Sequence, residues 1–204
     1  MVAHKRKQAR LTLSAREIRR RANRIAMVLT DNDGVLTDTG VYYSQTGEQL
    51  KRYSVRDGMG VELLRNAGIE TGIITSEKSE SLRRRAEKLN IRHVYLGIKD
   101  KKAHLDFILG LTHLSVHQIA YIGDDVNDIG ILEAVGASGL TGAPADAVAR
   151  VLEIVHYRCG ASGGHGAFRD FAEWILDQLR GDRKTMVAQH TDVHDTLMMT
   201  ETHT

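Results

Sequence analysis

The sequence predicts an α/β protein, a three-layer α/β/α sandwich around a central parallel sheet. Three observations predict it. Apolar runs of four to seven residues alternate with longer stretches of helical period. Several of those runs end directly on Asp, Thr or Ser, the residue types expected where strands meet helix starts at a ligand-binding edge. At 204 residues and 42% hydrophobic content, the chain is long enough for one packed core with tails. The expected division is a basic arm over residues 1–24, one globular domain over 25–180, and a polar, disordered tail over 181–204.

Taken in order, Ser14-Ala15-Arg16-Glu17 has capping-box spacing and predicts a short helix through the arginines that follow. Ile25-Ala26-Met27-Val28-Leu29 is the first buried strand, and it runs into Thr30-Asp31-Asn32-Asp33-Gly34-Val35. Residues 38–55 predict a hairpin, with Val41-Tyr42-Tyr43 and Leu50-Lys51-Arg52-Tyr53 flanking the turn Gln45-Thr46-Gly47. Hanging off the Asp31 turn, it would form a small flap over any site there. Asp57-Gly58-Met59-Gly60 leads into a helix with Val61, Leu63 and Leu64 inward, stopped near Gly68. A second strand covers Ile69 to Thr75, and a charged helix Glu77 to Leu89. The third strand is His93-Val94-Tyr95-Leu96, followed by a helix over 101–110. Gln118 to Ile122 is the fourth strand, opening onto Gly123-Asp124-Asp125, and Asn127 to Val135 is helical. Ala137 to Leu140 is the fifth strand, and Pro144 suits the first turn of a short helix. A glycine-rich turn over Gly160 to Gly166 precedes a closing helix from Ala167 to Leu179.

The net charge of +2 hides an uneven distribution. Residues 1–24 hold nine Lys/Arg against the single acid Glu17; removing these from the chain's 28 and 26 leaves 19 basic against 25 acidic residues, a net of −6. Nucleic-acid binding would rest on the arm alone, and a solvated basic extension is the simpler reading. One cysteine, Cys159, excludes an internal disulfide and fits a reducing cytoplasm. No apolar run reaches membrane-spanning length.

Four segments place chemically useful groups at one sheet edge. In a strand of period two, Asp31 and Asp33 point the same way, and two close carboxylates repel unless a cation or a proton lies between them. That setting suits magnesium with one nucleophilic and one acid–base carboxylate. Calcium loops and plain turns also use Asp-x-Asp-Gly. The second strand ends in Thr75-Ser76, hydroxyls placed before a helix start where phosphate oxygens bind. Lys101 opens the next helix, and the fourth strand ends in Asp124-Asp125 with Asp128 one turn on. Each has a plain alternative: Thr75 and Asp124 as helix caps, Lys101 as a surface lysine. Their joint order favours the chemistry.

These residues resemble the four motifs of the haloacid dehalogenase superfamily across about residues 25–180: Asp31-x-Asp33-Gly34-Val35, Thr75, Lys101 and Gly123-Asp124-Asp125-x-x-Asp128. Local marks narrow the likeness to the nearly capless branch that dephosphorylates 3-deoxy-ulosonic acid phosphates. They are Val55-Arg56-Asp57-Gly58, Arg83-Arg84-Arg85-Ala86-Glu87, Ala120-Tyr121-Ile122-Gly123-Asp124-Asp125 and Gly163-Gly164-His165-Gly166-Ala167-Phe168-Arg169. The resemblance implies a Rossmann-like fold with a β-hairpin flap in place of a cap domain. It implies that Asp31 is the nucleophile, that Asp33 is the general acid and base, and that Thr75 and Lys101 hold the phosphoryl oxygens. Magnesium would be held by Asp31, the backbone carbonyl of Asp33, and Asp124, with Asp125 and Asp128 orienting its water and Lys101. Sugar contacts would come from Ser54, Val55, Arg56, Asp57, Gly58, Ser76, Glu77, Arg85, Lys101, Asn127 and His165. A cytoplasmic homotetramer serving lipopolysaccharide or sialic acid biosynthesis is implied as well.

Two positions depart from the pattern. Most octulosonate members carry Thr-Gly-Arg where this chain has Thr75-Ser76-Glu77, and a basic residue where it has His165. Glu77, paired with Lys88 three turns along a helix, resembles the nine-carbon nonulosonate branch, while Glu77 at a helix N-terminus is the plain reading. Two other functions compete. A phospho-receiver domain would carry its phosphorylated aspartate after the third strand, but here Tyr95-Leu96-Gly97 has no aspartate until Asp100. Gly139-Leu140-Thr141-Gly142-Ala143-Pro144-Ala145-Asp146-Ala147 also resembles the domain appended to sialic acid cytidylyltransferases, a silent oligomerisation module. That module would be favoured by loss of the acid–base or metal residues, yet Asp33, Lys101 and Asp124 are all present.

Overall fold

The computed structural model describes residues 13–179. The first twelve residues of the basic arm and the tail expected over 181–204 lie outside the described residues.

Six parallel strands form the central sheet in the order β5-β4-β1-β6-β7-β8: β1 Met27–Thr30, β4 Glu70–Ile74, β5 His93–Tyr95, β6 Ile119–Ile122, β7 Leu140–Ala143 and β8 Tyr157–Arg158. The chain winds outward from β1 through β4 to β5, then returns to β6 on the other side and winds out to β8. The reversal falls between β1 and β6, where the loops leaving two neighbouring strands diverge and open a crevice. Side chains alternate across the sheet, because strand residues point to opposite faces in turn. Val28, Ile73, Ala120 and Ile122 join one core layer, while Met27, Leu29, Ile74, Ile119 and Tyr121 join the other.

The first layer is covered by α1 Ala15–Ala22, α2 Val55–Asn66, α3 Glu80–Lys88 and the closing helix α7 over 167–179. The second is covered by α4 Lys101–Thr112, α5 Ile129–Gly136 and α6 Ala149–Ile154. The hairpin is a separate two-stranded sheet, β2 Thr37–Ser44 paired antiparallel with β3 Gly47–Tyr53. No helix among the described residues is long and apolar enough to cross a membrane.

Ser14 caps α1 as its spacing predicts, accepting the Glu17 N–H at 3.2 Å. The end of this helix is not a free basic arm. Arg21 is buried, and its guanidinium donates to the carbonyls of Gly136, Ala137 and Gly139 at 2.8–3.2 Å, satisfying the groups that α5 leaves open at its C-terminus.

Several expected boundaries move. The second helix starts at Val55 rather than after Gly60, because the Ser54 hydroxyl accepts the Arg56 N–H and caps it. The charged helix starts at Glu80 rather than Glu77, capped by Ser79. Residues 126–128 form a 3-10 turn before α5, and the fifth strand is Leu140–Ala143 rather than Ala137–Leu140. Pro144 precedes a turn, with α6 beginning only at Ala149. Tyr157–Arg158, for which the sequence predicts no strand, closes the sheet as β8.

Candidate active site

Main-chain pairing with β4 and β6 on both sides leaves the β1 turn at the carboxyl edge of the sheet. The Asp31 N–H donates to the Ile122 carbonyl at 3.0 Å, and the Asn32 carbonyl accepts the N–H groups of Leu36 and Thr37, folding the chain back within five residues. Gly34 makes this possible. Its φ is +86°, and a Cβ there would overlap the carboxylate of Asp124.

Asp31 is buried and pairs through Oδ2 with Lys101 Nζ at 2.8 Å. Lys101, the first residue of α4, is equally buried and donates to Asp128 Oδ1 at 2.6 Å. Asp128 uses all its capacity. Oδ1 also accepts the Tyr121 hydroxyl at 2.5 Å, and Oδ2 accepts the N–H groups of Asp124 and Asp125 at 3.0 and 3.3 Å. Thr75 is buried at the end of β4, its Oγ1 accepting the Glu77 N–H at 3.2 Å. Because α3 begins five residues later, the helix start expected directly behind Thr75-Ser76 is not there.

One buried ammonium faces three carboxylates. Asp31, Asp124 and Asp128 each offer an oxygen within 4.8 Å of the others. Burial, then the charge of Asp128, raises the Asp31 carboxyl to about 7 against the pull of Lys101. Burial, then Asp31, Asp128 and Asp125, raises Asp124 to about 8. Burial alone would lower the Lys101 ammonium, but the two aspartates outweigh it and the net shift is upward. Asp124 Oδ1 is a buried oxygen with no hydrogen-bond partner. Hard carboxylate oxygens of this kind, one of them orphaned, fit a magnesium ion. Asp128 completes the triad by distance, but its oxygens are already committed to protein donors. Asp33 turns its side chain away from this triad to Lys51 Nζ at 2.7 Å.

A cavity of about 460 Å³ opens over these groups. It is lined by Asp31, Asp33, Thr75, Ser76, Glu77, Asp124, Asp125 and Asn127 among the expected residues. From the hairpin and the turn after β6 it adds Thr39, Val41, Tyr43, Glu48, Lys51 and Val126. The hairpin is therefore a wall of the site. Its contributing residues do not stand out in the sequence, because alternation groups Val41 with its partner Lys51 without saying which face meets the site.

Eight expected sugar contacts do not line this cavity within one chain: Lys101 lies buried beneath it, held by Asp31 and Asp128, and the other seven lie elsewhere. Ser54 caps α2, Val55 and Arg56 are exposed on its first turn, and Gly58 packs against Arg85. Arg85 donates to the Ser54 carbonyl at 2.8 Å and lies over the Tyr53 ring. Asp57 is buried and accepts the N–H groups of Gly166 and Arg169 at 3.2 and 3.1 Å, capping α7. His165 is exposed and meets Arg52 at 2.8 Å. Lys88 sits at the end of α3, whereas Glu77 lies outside that helix, so the two do not share a helical face.

The chain is 37% identical over 170 residues to the 3-deoxy-D-manno-octulosonate 8-phosphate phosphatase KdsC of Yersinia pestis, a match covering 82% of this chain and 89% of that protein. The cobalt-bound deoxy-D-mannose-octulosonate 8-phosphate phosphatase of Haemophilus influenzae superposes with a TM-score of 0.72 at 37% identity, covering 78% of this chain and 91% of that one. The Moraxella catarrhalis 3-deoxy-D-manno-octulosonate 8-phosphate phosphatase, solved with magnesium, phosphate and KDO, superposes with a TM-score of 0.74 at 31% identity, covering 85% and 98%. No family model matches the chain.

Proposed function

The chain belongs to the 3-deoxy-D-manno-octulosonate 8-phosphate phosphatases of the haloacid dehalogenase superfamily, and from that membership we propose that it is a magnesium-dependent phosphomonoesterase acting on a 3-deoxy-ulosonic acid phosphate. The observation that carries the reading is the meeting of Asp31, Lys101 and Asp124 at the β1–β6 edge, beneath a cavity that also receives Asp33 and Thr75.

In the proposed reaction, a carboxylate oxygen of Asp31 attacks phosphorus and the bond from phosphorus to the sugar oxygen breaks. The proton held by Asp33 passes to that departing oxygen. Water then attacks the aspartyl phosphate, giving its proton to Asp33, and inorganic phosphate leaves as the Asp31 carboxylate is regenerated. Lys101 and Thr75 hold phosphoryl oxygens as charge shifts among them. Asp31, Asp124 and the Asp33 carbonyl would hold the magnesium ion, which would supply Lewis-acid neutralisation of the anionic phosphoryl group. Asp128 keeps the Lys101 ammonium in place.

We take octulosonate 8-phosphate as the substrate, since the relatives are named for it. One observation favours a nine-carbon homologue: Glu77 lines the cavity, where its carboxylate could accept substrate hydroxyls and would repel a substrate carboxylate. A cytoplasmic tetramer is the proposed state of the protein, the open cavity gaining further walls from neighbouring subunits.

Phosphate release from eight- and nine-carbon ulosonate phosphates, with and without magnesium, tests the reading. Turnover that requires magnesium and favours the eight-carbon ester is expected. Glu77→Arg should strengthen that preference. No release from either ester in magnesium would remove the proposal.

A further inference from the structure

We infer that Lys51, reaching down from the hairpin, is the positioning residue that orients Asp33 for proton transfer, an inference that rests on the phosphatase reading above. Asp33 Oδ1 accepts three donors: Lys51 Nζ at 2.7 Å, Asn32 Nδ2 at 3.1 Å and Thr37 Oγ1 at 3.3 Å. Oδ2 is buried and makes no hydrogen bond within the protein. A carboxylate oxygen has about two lone-pair sites, so one that already accepts three donors has no room for a proton. The transferable proton is therefore carried on Oδ2, and the donors on Oδ1 decide which way Oδ2 is turned.

Of the three, only Lys51 brings a charge; Asn32 belongs to the catalytic turn and Thr37 opens β2 directly behind it, whereas Lys51 reaches in from the second strand of the hairpin. Its side chain is 2% exposed, the depth of a core residue, although it belongs to an otherwise exposed hairpin. Glu48 stands 3.7 Å behind the ammonium and accepts the Ser79 hydroxyl at 2.6 Å, at the head of α3. The ammonium is thus braced between the flap's own acid, itself tied to α3, and the acid–base carboxylate. A charge-assisted bond of this length holds its acceptor more firmly than the two neutral donors do.

A lysine that merely braced the hairpin would present the same contacts, and the two roles separate by leaving group. A brace lowers turnover of every ester alike. A residue that orients the acid lowers turnover most where the departing oxygen cannot leave without a proton. The experiment compares wild type, Lys51→Met and Lys51→Arg, in magnesium, on dinitrophenyl, phenyl and simple alkyl phosphates, none of which carries sugar groups. For Lys51→Met, kcat/KM is expected to fall by on the order of 10²-fold on the alkyl ester and by less than about 5-fold on the dinitrophenyl ester. Lys51→Arg, which keeps the cation, restores most of the alkyl activity. An equal fall along the series overturns the inference. If Lys51→Met does not fold, Thr37→Val removes another donor from the same oxygen and is read for the same split; an even loss there also overturns it. If the wild type turns over only ulosonate phosphates, Lys51→Met is read on octulosonate 8-phosphate, itself an alkyl ester, where an unchanged kcat overturns the inference. A wild type inert on the ulosonate phosphates as well rejects the phosphatase reading itself, and this inference with it.

Discussion

Lys101 lies between two aspartates, 2.8 Å from Asp31 and 2.6 Å from Asp128, and none of the three charges is exposed. Such a group stands or falls together, since removing one partner leaves another charge buried and uncompensated. Two substitutions separate the roles. Asp31→Asn should abolish turnover, because an amide nitrogen or oxygen cannot form the aspartyl phosphate. Asp128→Asn should retain chemistry but lose about 10- to 100-fold in kcat, the usual cost of disturbing a group that orients a catalytic one. Phosphate release alongside a thermal melt checks both. Substantial activity in Asp31→Asn would end the covalent mechanism, and an unchanged kcat in Asp128→Asn would remove its hold on Lys101.

The hairpin Thr37–Tyr53 is the element with most unfinished business within one chain. Its inner side supplies Lys51, Glu48 and Val41 to the cavity, and a strut of Arg52 to Asp38 at 2.6 Å and to His165 at 2.8 Å joins it to the glycine-rich turn. Tyr42 and its cross-strand partner Leu50, neither of which lines the cavity, are 66% and 64% exposed, an apolar pair left open to solvent within one chain. We propose that the tetramer assembles through this surface. Light scattering should show an oligomer for the wild type and a smaller species for Leu50→Asp combined with Tyr42→Asp. A wild-type monomer of full activity would sink the assembly.

At the scale of the whole molecule, folding gathers charge that the free chain keeps apart. Asp31 and Asp124 sit near 3.8 when solvated and are raised to about 7 and about 8 in the fold, by burial first and neighbouring carboxylates second. A raised acid binds more protons folded than unfolded, so without metal these two groups make stability fall as pH climbs from about 4 to about 8. The upward shift of Lys101 has its effect only above its ordinary value near 10.5, outside that window. Magnesium replaces the missing protons, so its stabilising effect grows over the same range. The gain in Tm with magnesium should be small near pH 5.5 and about 5 °C or more near pH 8.5. Equal gains at both pH values would contradict this ligand set.

Much of this molecule is legible in its amino-acid sequence. The alternation of short apolar runs with helical stretches determined the parallel sandwich, because period and strand length are local properties of the chain. Asp31, Asp33, Thr75, Lys101 and Asp124 stand out by position as well as type, because each ends a strand or opens a helix, and those edges coincide in a parallel sheet. What only tertiary structure decided depends on contacts between distant segments. Asp57 reads as a sugar contact in its motif, yet α7, more than a hundred residues on, takes its carboxylate as a cap. Arg21 reads as part of a solvated arm, yet the open carbonyls of α5 draw it inside. Lys51 reads as one more hairpin lysine until the hairpin folds over Asp33. A residue's type and spacing are set by its neighbours in sequence, but a polar group's partner is set by whichever unpaired donor or acceptor the fold brings within reach.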